Sequence, residues 1–345
     1  MSKISSVPDH STGVQHDCEV IVMSPTTAKF GSRIAAVMKP ILLPALLISY
    51  SIVGHSGLAQ TRPPQSAHEQ RPVTQLPTES NGWDAVIKGL LTTFDSADIL
   101  ALGEAHGRKL DSELRLRLLR DPDFPNKARV IVVEFANSAY QAVLDRYIQG
   151  DDIPLTDASR AWQDPAQRPV FPTIPEFFQT VREINRALPV DKRLRVFAGH
   201  PPDVGSRNDH AISVLREGVV SKHGKALVIY GSGHLWHGAG DGGITKALEE
   251  NIPGRVFVAE VLAPVGRTGP ERDELDKSLQ ALESTLHSTD RPVLALLKKG
   301  SAAGKLIANP FYLGEAMLPP NVTLSDLDDA CIYFGRTPEL GASLR

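Results

Sequence analysis

Five short apolar runs limit what this chain can fold into. The runs at 99–102, 129–133, 194–199, 226–233 and 256–259 are too short for independent helices and are mostly aliphatic and β-branched, the composition of strands buried on both faces. Each ends in a polar group: Glu104 and His106 after Gly103, then Glu134, His200, His234 with His237 just beyond, and Glu260. Between the runs, apolar residues recur at three- and four-residue spacing, the period of an amphipathic helix. These stripes predict helices over 83–94, 110–119, 140–148, 176–188, 209–220, 242–250 and 271–286, and 292–297 adds a last strand candidate. Alternating strands and helices predict an α/β fold, a mostly parallel central sheet flanked by helices on both faces. Ligand sites in such sheets lie at the carboxyl ends of the strands, which is where the polar groups fall.

The amino-terminal stretch reads differently. Lys29, Arg33 and Lys39 precede an apolar segment at 41–53, and Gly57-Leu58-Ala59 supplies the small residues that a signal peptidase reads, so 1–59 is expected to be an extension and signal peptide. The proline-rich, polar stretch 60–80 reads as a flexible linker, leaving 81–345 as one α/β domain, periplasmic or secreted, that meets a membrane only through the signal segment before cleavage. A formal net charge of −3 over 345 residues lacks the basic footprint of nucleic-acid binding, so no nucleic acid is expected as a partner. Cys331 is the one cysteine beyond the expected signal and has no partner for an internal disulfide. The stretch 151–175 carries five prolines and reads as a loop, with Trp162 and Phe171 as pocket or lid residues.

Glu104 and His106 stand two apart, so in extended chain they point the same way. A carboxylate and an imidazole so placed can act as general base and orienter or as two ligands of a divalent metal; the plainer reading is a helix-capping glutamate and a surface histidine. Glu134 follows four β-branched residues and, if desolvated, needs a cation or a metal. Arg115 and Arg117 are the nearest candidates in sequence, and a purely structural ion pair is the alternative. His234 and His237, three apart beside the flexible Gly231-Ser232-Gly233, can face one point, so Glu104, His106, Glu134, His234 and His237 form a possible metal-ligand set. Ser232 lacks the spacing of a nucleophile elbow and is not expected to attack a substrate. His200 is a weaker candidate, and His210 and His223 read as solvated or capping residues.

Gly103-Glu104-Ala105-His106-Gly107, Glu134, and Gly231-Ser232-Gly233-His234-Leu235 resemble the superfamily that groups erythromycin esterases, ChaN-type haem-binding proteins and the TraB/GumN/Tiki proteins, over about 99–260. The esterase branch implies site roles for Glu104, His106, Arg115, Glu134 and His234, and Arg207-Asn208-Asp209-His210-Ala211 is similar to a helix start in that branch. Its first motif usually has two residues between glutamate and histidine, whereas this chain has one, as in ChaN. Gly231-Ser232-Gly233-His234-Leu235 with the following Gly242-Gly243-Ile244 is similar to the second motif of the TraB/GumN/Tiki branch, whose Tiki members are metal-dependent proteases. The resemblance implies an exported hydrolase acting on an ester, lactone or amide in a small-molecule or peptide substrate. Water would be activated directly or through a divalent metal, and Arg115 would stabilise the oxyanion. The alternative it implies is a periplasmic ChaN-like haem- or iron-binding protein, with histidines or Tyr140 and Tyr230 on the iron; a third is an inactive member kept for structure or interaction.

Overall fold

The computed structural model describes residues 77–336, apart from 106–107, 164–172, 239–242, 263–268, 289 and 313–317. The expected signal, most of the linker, His106 and Phe171 lie outside the described residues. In chain order the first half comprises β1 (Glu79–Asn81), α1 (Trp83–Thr93), β2 (Ile99–Glu104), α2 (Lys109–Arg120), α3 (Phe124–Lys127), β3 (Val130–Asn137), α4 (Gln141–Gln149), α5 (Leu155–Ala158), α6 (Arg160–Gln163) and α7 (Thr173–Ala187). The second half comprises β4 (Arg195–His200), α8 (Arg207–Gly218), β5 (Ala226–Gly231), α9 (Gly243–Glu249), β6 (Val256–Leu262), α10 (Pro270–Thr285), β7 (Val293–Leu296), α11 (Leu324–Leu327) and β8 (Ala330–Tyr333). Among the described residues no helix is long and apolar enough to cross a membrane.

The strands form one sheet in the order β1-β7-β8-β6-β2-β5-β3-β4. Only β7 runs against its neighbours, so the sheet is mostly parallel, as the alternation of strands and helices predicts. From β2 the chain moves outward to β3 and β4, returns to place β5 between β2 and β3, and then crosses β2 to lay down β6. Successive connections therefore leave β2 in opposite directions, and a crevice opens at the carboxyl ends of such strands.

Both faces of the sheet are covered, and the twofold alternation of strand side chains assigns each residue to a layer. Leu100, Leu102, Ile131, Val133 and Phe135 pack in the core with Leu114 and Leu118 of α2 and Phe177 and Val181 of α7. Ile99, Ala101, Val132, Val228 and Tyr230 pack on the other face with Ala211 and Leu215 of α8 and Ile244 and Leu248 of α9. A third cluster joins Leu275, Leu279 and Leu282 of α10 to β7 and β8, including Cys331, whose thiol burial pushes up to about 12.

Several boundaries differ from the sequence reading. β1 falls in the expected linker: Glu79 and Ser80 pair with Ala295 and Leu294 of β7, an edge pairing made by backbone with no apolar run to announce it. The expected loop 151–175 contains α5 and α6, and α7 opens inside it at Thr173, with Pro175 in the first turn, where its missing N–H removes no helical bond. Trp162 is no lid residue; it is buried and stacked on Phe178 at 4.6 Å between centroids. The buried Asn185 of α7 donates to the carbonyls of Ile148 and Leu194 and accepts from the Leu194 N–H, which ties α4, α7 and the approach to β4 together.

Gly199, in β4, makes room for Tyr230. A Cβ at this position would overlap the Tyr230 hydroxyl and lie 2.8 Å from the Val133 carbonyl oxygen, a backbone atom with nowhere to move. Gly199→Ala is expected to destabilise the fold by about 1–3 kcal/mol, read as a lower urea midpoint. Gly205→Ala in the exposed turn before α8, where the nearest atom would be 3.3 Å away, is the control and should change stability by no more than about 0.5 kcal/mol.

Candidate functional site

Glu134 shares the strand face of Val130 and Val132 and so looks toward α8. That helix begins at the rim of the sheet, where Ser206 caps it by accepting from the Asp209 N–H, and its first two residues reach into the site. Arg207 Nη1 lies 2.9 Å from Glu134 Oε1, and the Gly231 N–H donates to Glu134 Oε2 at 2.8 Å. Asn208 Oδ1 accepts from His234 Nδ1 at 2.6 Å. That bond puts the ring proton on Nδ1 and leaves Nε2 as the basic nitrogen, 3.8 Å from Glu134 Oε1. Glu134 is fully buried, whereas the side chains of His234 and Arg207 remain 32% and 41% exposed. The group is thus a buried carboxylate bearing a guanidinium and an oriented imidazole, both partly open to solvent.

Glu104 shares the face of Leu100 and Leu102 and looks the other way, toward α2. Its carboxylate pairs with Arg115, and both are buried. Arg115 also donates to Ser112 Oγ at 2.8 Å and to Thr173 Oγ1 at 3.4 Å, and its guanidinium lies 5.1 Å from the Phe135 ring centroid. The expected pairing of Arg115 or Arg117 with Glu134 is therefore corrected. Arg115 serves Glu104, Arg117 binds Glu113 and covers the Trp83 ring, and the cation on Glu134 is Arg207. Alternation along the strands places Glu104 and Glu134 on opposite faces, so one helix cannot serve both. Their common point is Gly231, which is in register with Glu104 and donates its N–H to Glu134.

A third carboxyl stands beside these two. Glu260 lies opposite Gly103 in the β2–β6 register and occupies the space a side chain at Gly103 would fill. Glu260 Oε1 accepts from Ser232 Oγ at 2.6 Å, while Oε2 has no hydrogen-bond partner. Burial first, and then the nearby Asp328, hold its carboxyl well above the usual carboxylate range. The Ser232 hydroxyl is thus engaged by an acid, the wrong partner for activating a nucleophile. Burial likewise raises Asp111, which nonetheless receives hydrogen bonds from Arg108 and the Ala105 N–H.

The other candidates are placed elsewhere or otherwise occupied. His237 is buried with Nε2 2.8 Å from Asp329 and Nδ1 3.0 Å from Glu249, so both ring nitrogens face carboxylates of a different cluster. His200 Nδ1 lies 2.8 Å from the Pro201 carbonyl oxygen, and burial lowers its pKa. His210 reaches the Ala198 carbonyl at 3.3 Å, and His223 sits exposed in a left-handed turn. Tyr230 is fully buried, and Tyr140 carries the Arg160 guanidinium 4.8 Å from its ring centroid. Among the described residues no three His, Cys, Asp or Glu side chains are placed to hold one metal ion. Glu104 and Glu134 each already carry a guanidinium, which competes with a metal ion for the carboxylate.

Arg207 and Asn208 acquire site positions that sequence spacing did not assign. The available signal was their place just past Ser206, at the start of the helix following β4, where helix N-termini meet the carboxyl rim. Glu260 was visible as a strand-end carboxyl, but its contact with Ser232 was not.

No family model and no curated protein matches the sequence. Among solved structures, a Bacillus cereus protein is similar at 13% identity and TM-score 0.49, over 77% of this chain and 94% of its own. An erythromycin esterase mutant in its open conformation is similar at 10% identity and TM-score 0.49, over 78% of this chain and 100% of its own. ChaN of Campylobacter jejuni, with cofacial haem, is similar at 13% identity and TM-score 0.33, over 54% and 87%. Bacterial toxin structures also match; for an effector domain from Vibrio vulnificus, at 23% identity and TM-score 0.35 over 48% of this chain, the chain spans 35% of the toxin structure. These likenesses concern fold and assign no residue a role.

The raised pKa of Glu260 has a signed consequence for stability. Its folded value lies above the ordinary 4.5, so the folded state holds a proton that the unfolded chain releases. The associated stability is complete below that ordinary value and is lost as pH rises toward the folded one. Glu260→Gln removes the titration. The urea-midpoint difference between variant and wild type should grow in favour of the variant from pH 5 to pH 8, by up to about 1.4 kcal/mol per pH unit within the window; a difference independent of pH would exclude a raised Glu260.

Proposed function

We propose that this chain is an exported hydrolase that activates water for attack on an ester, lactone or amide carbonyl, with His234 as general base. The observation that carries the reading is the Asn208–His234–Glu134–Arg207 group, in which an imidazole is held through Nδ1 while its side chain stays partly exposed. Water bound at Nε2 loses its proton there as it attacks the carbonyl. Glu134, fixed by the Gly231 N–H and by Arg207, then faces the imidazolium and stabilises it. Arg207 keeps part of its guanidinium open to solvent, the position from which it can meet the developing oxyanion. This moves the oxyanion role from Arg115 to Arg207 and leaves Arg115 to hold Glu104 at the adjoining strand end. His106 stays in the proposal on its place in the sequence, two residues beyond Glu104. A substrate that is a small molecule or a peptide fits an open rim, and export rests on the basic, apolar and small-residue order of the amino-terminal segment.

The test is hydrolysis of a panel of p-nitrophenyl esters, aliphatic lactones and peptide amides by the purified chain. With a responsive substrate, His234→Ala should lower kcat about 10²–10⁴-fold. Asn208→Ala should lower it about tenfold by freeing the ring tautomer, and Arg115→Ala should act mainly on stability. Full activity in His234→Ala would eliminate the general-base assignment. No hydrolysis across the panel, together with a shifted Soret band on adding haemin, would replace the hydrolase with a haem-carrier reading.

A further inference from the structure

At the opposite end of the same strands lies a cavity of about 750 Å³, within the size range of small-ligand sites. Its wall carries Lys127, Arg129, Arg193, Arg195, Lys222 and Lys225 against two carboxylates, Asp145 and Asp191, in a chain whose net charge is −3. The fold forces some of these cations together. Val130 is in register with both Arg195 and Ala226, so Arg129 and Lys225, each one residue earlier, stand side by side at the starts of β3 and β5 at a strand spacing of about 5 Å, with Arg195 offset from them by one residue. Like charges side by side on neighbouring strands are destabilising, and a stable fold that retains them has a reason to bind an anion there.

The local hydrogen bonds position these side chains without cancelling their charge. Arg129 donates to the Asp191 carbonyl at 2.5 Å, Arg193 to the Gln149 carbonyl at 2.7 Å, and Lys225 to the Phe94 carbonyl. Arg195 lies over the Phe197 ring at 4.7 Å. Only Lys127 among the six has an ion-pair partner, Asp95. Asp145 accepts from Gln141 at 2.8 Å; burial raises its carboxyl above the usual range, while Gln141 and the nearby Arg195 charge pull it down, so it offsets part of one of the six cations. The described wall contains no Phe, Tyr or Trp, and His223 is its one aromatic ring, so charge dominates what it offers a ligand.

We propose that this cavity is a second ligand site, selective for a small polyanion bearing two or more phosphate groups. Guanidinium forks match phosphate oxygens in pairs, and six cations spread along one cavity wall suit several linked phosphates better than a single one. The site is separated from the His234 rim by the length of strands six to eight residues long, roughly 20 Å or more, and it stands whether or not the hydrolase reading does.

Titration calorimetry on the full chain at constant ionic strength tests it, with tripolyphosphate, orthophosphate and ATP as probes. One-site saturable binding of tripolyphosphate, tighter than orthophosphate and no weaker than ATP, is the expected result. The double variant Arg195→Gln/Lys222→Gln should weaken tripolyphosphate at least about tenfold while keeping or raising the unliganded thermal midpoint, because it relieves repulsion. Lys222→Glu, a change at one exposed residue, repeats the test without touching a packed side chain. Absence of saturation, equal affinity in the variants, or ATP binding far tighter than tripolyphosphate would each overturn the proposal, the last by requiring recognition of the base.

Discussion

A buried carboxylate must have its own cation, and strand geometry decides where that cation can come from. Glu104 ends β2 and Glu134 lies within β3, two strands of one sheet separated by β5, and the two side chains point to opposite faces, so a single arginine cannot reach both. Each has recruited a guanidinium from the helix on its own side, Arg115 from α2 and Arg207 from α8. Removing one partner of such a pair leaves a desolvated charge and costs about 3–5 kcal/mol, enough to consume much of a domain's net stability. The two ion pairs therefore fix where α2 and α8 start relative to the rim, and the positions of Asn208 and the Ser112–Thr173 hydroxyls follow from that.

Much of this was legible in the chain itself. The apolar runs became β2 to β6, and the helical stripes became helices within a few residues of their expected bounds. What escaped were elements without a pattern to read. β1 is three polar residues held by backbone pairing, and α5 and α6 hide among prolines. The site was legible in its strand-end residues and not in their pairing. Arg115 is close to Glu134 in sequence, but β5 lies between β2 and β3, and the cation that reaches Glu134 arrives from 73 residues further along. Sequence distance is a poor guide wherever a parallel crossover returns into the middle of a sheet.

The three carboxyls at the rim are chemically distinct because their surroundings are. Glu134 is tied to a guanidinium and a backbone N–H, Glu104 to a guanidinium alone of the groups named, and Glu260 to a hydroxyl in a buried corner that disfavours its charge.

The late insertion of β5 also governs when the rim can exist. Its two neighbours, β2 and β3, are made more than 90 residues before it ends and do not touch each other in the finished sheet. Until residues 226–231 arrive, each presents an unsatisfied row of amides and carbonyls, the kind of edge that pairs with whatever strand is nearest. Gly231 then closes the gap between β2 and β3 and binds Glu134 in the same stroke, so the strand that satisfies these two edges is also the one that ties the two faces of the rim together.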